Sequence, residues 1–417
     1  MPRRSSSTAD SLPRRAASMA VGCLVFAASA CSAPADRVDL ALAGDASVAS
    51  VPAACVPDAH GRAWTEARAT AAGPYAVETV DLSLVDVTRA TPPHHRFTGS
   101  DVRELPTRVW YPRVPSLLRA RTGSFPVVMY SHGFSSTREE NPELAKHLAS
   151  HGFVVVAPTF PASNMLAPGG PNAADVPRQP GDVSFVLDRV LELGRTRGHA
   201  LHGLLDASRI AAVGLSLGGL TTLLVTYHAT LRDPRIDVAV AMAPVAGLFT
   251  SRFYETTRAP ILVLHGDGDA ILPYDPHATT FRSQALAPAQ LLTLARGTHT
   301  GFTTQAKLVT LIAPKNVDNV GCAVVGSALD SDPTDFSATV TALGGAALGV
   351  VDPPAADFCP AGLPEGMDPV RQLSIEDAAV LAFLVAHFDG DATTRDRACD
   401  FVSRVLPEDP DVDSFRR

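Results

Sequence analysis

The chain has 417 residues, with 35 basic against 43 acidic side chains and a formal net charge of −8. Hydrophobic residues make up 46% and charged residues 19%, enough apolar surface for a large core, which excludes disorder along most of the chain. Only three lysines are present (Lys146, Lys307 and Lys315), so the basic footprint of a nucleic-acid-binding surface is missing.

Arg3, Arg4, Arg14 and Arg15 precede a 15-residue apolar run over residues 16–30, followed by Cys31. A basic start, a short apolar stretch and small residues at its end describe an export signal. The run falls short of the roughly 20 residues that a membrane span needs. Ala28-Ser29-Ala30-Cys31 resembles the lipobox of bacterial lipoproteins, which implies acylation of Cys31 and membrane attachment there. Simple cleavage after Ala30 or Ala33 is the alternative. The expected location is secreted, periplasmic or lipid-anchored at the cell envelope. Residues 31–73 have no sustained period and read as a tether, ahead of one domain over 74–417.

From residue 76 onward short apolar runs alternate with helical spacing. Ala76 to Thr88, Leu105 to Tyr111, Pro126 to Tyr130, Phe153 to Pro158, Ile210 to Val213, Val238 to Met242, Ile261 to Leu264 and Leu291 to Leu294 read as strands. Helices are expected around Asn141 to Ser150, Val183 to Leu193 and Leu217 to His228. This alternation predicts an α/β fold with a mostly parallel sheet covered by helices on both faces. Residues 303–373 break the pattern and read as an insertion, a lid or surface subdomain. An amphipathic helix over Ser374 to Phe388 and a second helix near Ala398 to Val405 close the chain.

Six cysteines are present. With Cys23 in the signal and Cys31 a candidate for lipid, Cys55, Cys322, Cys359 and Cys399 remain, in a compartment that permits disulfides. Three pairings are possible. Proximity in sequence favours Cys322 with Cys359, leaving Cys55 with Cys399. No Cys or His spacing suggests zinc.

In an open parallel sheet the chemistry gathers at the carboxyl ends of strands. Gly214-Leu215-Ser216-Leu217-Gly218-Gly219 sits between a predicted strand and a predicted helix, where a strained turn would expose the Ser216 hydroxyl. Ser131-His132-Gly133-Phe134 follows another strand. Acyl transfer builds negative charge on a carbonyl oxygen, and the backbone N–H groups of Phe134 and Leu217 are candidates to receive it. His132 reads as a structural loop residue. After the strand ending at Leu264, both Asp267 and Asp269 could orient a histidine; Asp269 is favoured, with Asp267 capping the turn. His299, in Gly297-Thr298-His299-Thr300-Gly301, follows the last expected strand and could accept the Ser216 proton. The chain order Ser216, Asp269, His299 is the order of α/β-hydrolases.

These segments carry a resemblance. Residues 76–302 resemble the α/β-hydrolase branch of dienelactone-hydrolase-like proteins, platelet-activating-factor acetylhydrolases and cutinase-like polyesterases. The matching stretches are Arg103 to Pro112 (RELPTRVWYP), Ser131 to Phe134, Leu148 to Val155 (LASHGFVV) and Asp182 to Leu193 (DVSFVLDRVLEL). The resemblance implies a serine ester hydrolase working through Ser216, His299 and Asp269, needing no metal or organic cofactor and acting on a small-molecule or lipid ester. Two departures stand out: Val245 occupies the position where the polyesterases carry an aromatic clamp, and Ser216 replaces the dienelactone hydrolase cysteine. Phe160, Tyr274 and Phe302, with Phe134, are candidates to line an acyl pocket. A cutinase-like polyesterase, an acyltransferase or amidase with the same triad, and a silent binding protein on this fold are the alternatives.

Overall fold

The computed structural model describes residues 64–417, apart from 116–117, 120–122, 287 and 330–335. The export signal, Cys31 and Cys55 lie outside the described residues. The core of the body is one sheet of nine strands in the order β1-β2-β4-β3-β5-β6-β7-β8-β9. Its strands are β1 (Val77–Asp86), β2 (Arg103–Pro112), β3 (Phe125–Ser131), β4 (Val154–Pro158), β5 (Leu205–Leu215), β6 (Val238–Met242), β7 (Ile261–Gly266), β8 (Ala289–Leu294) and β9 (Val412–Arg416). The six strands from β4 to β8 in that order run parallel, while β1, β2 and β9 are antiparallel to their neighbours. The mostly parallel sheet expected from the alternating pattern is therefore present. The sequence pattern missed β9, an edge strand whose VDSFR carries little apolar alternation.

Ten α-helices surround the sheet: α1 (Glu66–Thr70), α2 (Pro142–Ser150), α3 (Gln179–Arg195), α4 (Leu217–Tyr227), α5 (Tyr274–Gln284), α6 (Ala306–Val309), α7 (Asp318–Leu329), α8 (Phe336–Ala342), α9 (Pro369–Phe388) and α10 (Ala392–Asp400), counted among the described residues. Side chains alternate across each strand, so both faces of the parallel sheet are apolar. Val128 and Tyr130 of β3 and Val238, Val240 and Met242 of β6 pack with α2 and α9. Val127 and Met129 pack with α3 on the opposite face. There Ala239 and Ala241 of β6 meet Leu220, Leu223 and Leu224 of α4, small residues that let the helix lie close.

Three expectations need correction. The tether does not extend to residue 73: Trp64 and Ala69 are buried, and Gly73 donates its N–H to Ser150 Oγ at 2.9 Å. Helix α9 is not amphipathic. It is buried around most of its circumference, because the segment containing Ala398, Phe401 and Val402 covers the side away from the sheet. The closing helix near Ala398 begins earlier, at Ala392, and continues to Val405 with a π-turn over Phe401–Val405 after α10.

Residues 303–373 are held against the body at several points. His228 Nε2 is bonded to the Leu343 carbonyl at 2.9 Å, and Phe249 forms a β-bridge with Val350. Cys322 and Cys359 form a disulfide, as proximity suggested.

Candidate active site

Ser216 lies between β5 and α4 with φ +58° and ψ −118°. That is a region a β-carbon-bearing residue rarely enters, and it persists only where the surroundings impose it. Its N–H donates to the Met242 carbonyl at 2.9 Å. Glycine is needed on both sides because the backbones nearly touch. A Cβ on Gly214 would stand 2.3 Å from the Gly218 carbonyl oxygen, and one on Gly218 would stand 2.0 Å from that of Ser131. The turn therefore presses the start of α4 against the end of β3.

The loop after β3 closes over this turn. A Cβ on Gly133 would come within 3.3 Å of Ser216 Cβ. His132 is fully enclosed, with Nε2 accepting the Phe160 N–H at 3.0 Å, so Nδ1 carries the hydrogen and donates to the Gly133 carbonyl at 2.7 Å. Burial pulls its imidazole down to about 4 and keeps it neutral. Phe134 is half-buried, and Leu217 opens α4, where a backbone N–H has no helical acceptor.

Beyond β7, Asp269 is buried and its Oδ1 accepts the N–H groups of Ile271 and Leu272, at 2.9 and 2.7 Å. Its Oδ2 lies 2.8 Å from His299 Nδ1, which follows β8. Asp267, the competing acid, is exposed and instead accepts the Arg296 N–H. Burial pulls the His299 imidazole down, but the Asp269 carboxylate outweighs it, helped by Asp318 and Glu140, and leaves it above the ordinary histidine value. Burial likewise opposes ionisation of Asp269, and His299 reverses this, holding the carboxyl below its ordinary value.

β3, β5, β7 and β8 are parallel members of the same sheet. The Gly133 loop, Ser216, Asp269 and His299 therefore all sit on its carboxyl edge.

The aromatic candidates divide. Phe160 and Phe302 are fully buried: Phe160 packs on the α3 side of the sheet and against the His132 ring, Phe302 in the α9 cluster. Enclosed rings present no surface to a substrate, which corrects their reading as pocket walls. Tyr274 is half-buried, and its hydroxyl pairs with Thr293 Oγ1 at 2.6 Å.

Several buried polar groups near the site carry no motif. Glu140 accepts the Gly133 N–H through Oε1 at 2.9 Å and the Tyr130 hydroxyl through Oε2 at 2.8 Å. Burial pushes its carboxyl up to about 7, despite those two donors. Asn141 caps α2, and its Nδ2 donates both to the Phe302 carbonyl and to Glu376 of α9. Behind Asp269, His265 Nε2 is 2.8 Å from the Leu272 carbonyl, and its ring stacks on His277 at 6.5 Å. Glu140 was legible only as one of two acids before a helix cap. Asp318 lay in a segment with no pattern. Among the described residues no group of three His, Cys, Asp or Glu side chains is placed to hold a metal ion.

A mostly parallel sheet with its first strands antiparallel, and a strained serine between strand and helix, define the α/β-hydrolase fold. Within it, this chain belongs to the PET hydrolase-like family, whose model matches residues 106–318. It is 27% identical to cutinase 2 of Thermobifida cellulosilytica over 174 residues, which is 42% of this chain and 56% of that protein. Bis(hydroxyethyl) terephthalate hydrolase of Streptomyces coelicolor is 29% identical over 229 residues, 54% of this chain and 61% of that protein. Chlorophyllase-1 of Arabidopsis thaliana is 27% identical over 184 residues, 43% and 45% of the two chains. The chain thus spans about half the length of the relatives it matches.

Proposed function

We propose that this chain is a serine hydrolase of carboxylic esters, exported and either secreted or held at the cell envelope through a lipid on Cys31. The observation that carries the reading is the Asp269–His299 pair, 2.8 Å apart, on the sheet edge that also bears Ser216 in its strained turn. Asp269 accepts from His299 Nδ1–H, which leaves Nε2 free to act as the base. In this reading His299 removes the Ser216 proton as Oγ attacks the ester carbonyl. The N–H groups of Leu217 and Phe134 receive the developing oxyanion. Collapse expels the alcohol, which takes the proton from His299, and a water activated by the same imidazole then releases the acid and restores Ser216.

Relatives named as cutinases and as a terephthalate ester hydrolase support an ester substrate. The disulfide between Cys322 and Cys359 supports an oxidising compartment, and the composition of residues 1–30 supports export. Val245 is buried and aliphatic where a polyesterase carries its aromatic clamp, which favours smaller or aliphatic esters over aromatic polyesters.

The test is Ser216→Ala on a chain-length series of p-nitrophenyl esters, run beside a phospholipid and a polyester film. Turnover should fall by at least about 10³-fold, and a fluorophosphonate should label the wild-type serine. Undiminished turnover in the variant would sink the assignment.

A further inference from the structure

Asp318 is the first residue of α7 and is fully buried. An acid at a helix start ordinarily caps its own helix. Asp318 instead reaches out of α7 to two other segments. Its Oδ2 accepts the N–H groups of Ala270 and His299, both at 3.0 Å, and its Oδ1 accepts that of Thr300 at 2.7 Å. One carboxylate thereby joins the residue after Asp269 to His299 and its successor.

The grip is completed from the other side. The Ala270 carbonyl accepts the Cys359 N–H at 2.7 Å, and Cys359 is bonded through its disulfide to Cys322, also on α7. The Ala270 residue is therefore held at its N–H and at its carbonyl by groups that both lead back to α7.

We propose that Asp318 is a positioning residue for ester hydrolysis: it sets the Asp269 and His299 loops in register and places a second negative charge beside the imidazolium that forms when His299 takes the Ser216 proton. This rests on the hydrolase reading above. The ionisable groups facing His299 are Asp269 and His265 from β7 and its loop, His277 from α5, Glu140 ahead of α2, and Asp318 itself. Burial holds His265 and His277 neutral, the latter down at about 3. Burial pushes the Glu140 carboxyl up to about 7 in the wild-type chain, and because the residue is kept in every variant, a limb that moves with Asp318 reports the loss of that charge.

The experiment measures kcat, KM and the pH dependence of kcat/KM for wild type, Asp318→Asn and Asp318→Glu, with fluorophosphonate labelling of Ser216 in each. In Asp318→Asn the shape is kept and the charge removed. Its kcat should fall about tenfold to a hundredfold with KM little changed, and the acid limb of kcat/KM should move to lower pH, because the imidazolium has lost a counter-charge. A merely structural role would lower the active fraction without moving that limb; an unmoved limb in a folded variant overturns the proposal. Asp318→Glu keeps the charge but displaces it by one carbon, so it should lose kcat while retaining the wild-type limb; full kcat there also overturns the proposal. A wild-type chain that neither turns over esters nor labels at Ser216 fails one step earlier and overturns both readings.

Discussion

Gly133 donates its backbone N–H to Glu140 Oε1 at 2.9 Å, so the loop that covers Ser216 is anchored to a carboxyl group buried beneath it. Glu140 also accepts the Tyr130 hydroxyl from the strand that leads into the loop. In the folded chain it keeps its proton up to about pH 7, well above the 4.5 of an ordinary glutamate, because burial penalises the charge. The folded state thus binds an extra proton between those values. The stability this group contributes is fully present below about 4.5 and is lost as pH rises through about 7. Replacing Glu140 by Gln keeps an acceptor for Gly133 and removes the titration. Melting temperatures of the two proteins, compared from pH 4.5 to 7.5, should show the variant declining less steeply; parallel curves would refute the buried-proton account.

The ion pair between His299 and Asp269 has a signature in activity. A raised imidazole stays protonated longer as pH rises, so the base form appears late. Hydrolysis of a p-nitrophenyl ester should therefore climb through an acid limb lying above pH 6.5, the ordinary histidine value. In Asp269→Asn the amide would favour the wrong tautomer, and kcat should drop by roughly 10⁴. A limb at or below 6.5, or a loss under about tenfold, would show that Asp269 does not orient the base.

Arg103 makes a purely tertiary connection. Its guanidinium is fully buried and bonds Asp182 through Nε and Nη2, at 2.7 and 2.6 Å, and Asp175 through Nη1 and Nη2, at 3.2 and 2.6 Å. It thereby locks β2 to α3 and to the short turn before it. Arg103→Met would leave the two acids with only the more exposed Arg89 and Arg178 beside them. Loss of one partner from such a network costs about 3–5 kcal/mol. Urea denaturation should report a loss of this size, and a change under about 1 kcal/mol would mean that the acids accept protons or water instead. Arg103→Lys should recover little, since an ammonium cannot reproduce the two-sided fork.

What the chain made legible by itself was local. Apolar runs alternating with helical spacing marked eight of the nine strands: the parallel ones because burial on both faces requires apolar residues at nearly every position, and β1 and β2 because their apolar and polar residues alternate. Gly214, Ser216 and Gly218 announced the sharp turn, because only glycine lets two backbones come that close. Strand ends followed by glycine also located the loops of Gly133, Asp269 and His299.

The tertiary structure alone decided which side chains meet. It set Asp269, the acid the sequence favoured, 2.8 Å from His299 and left Asp267 accepting the Arg296 N–H. It enclosed Phe160 and Phe302, whose apolar character suits a core and a pocket equally. It paired β9 with β8 across more than a hundred residues of chain, and it carried Asp318 out of a patternless segment to the backbone of His299. Periodicity records only which side of an element is apolar. A hydrogen bond to a distant backbone N–H leaves no such trace, because any buried carboxylate in the right place could make it.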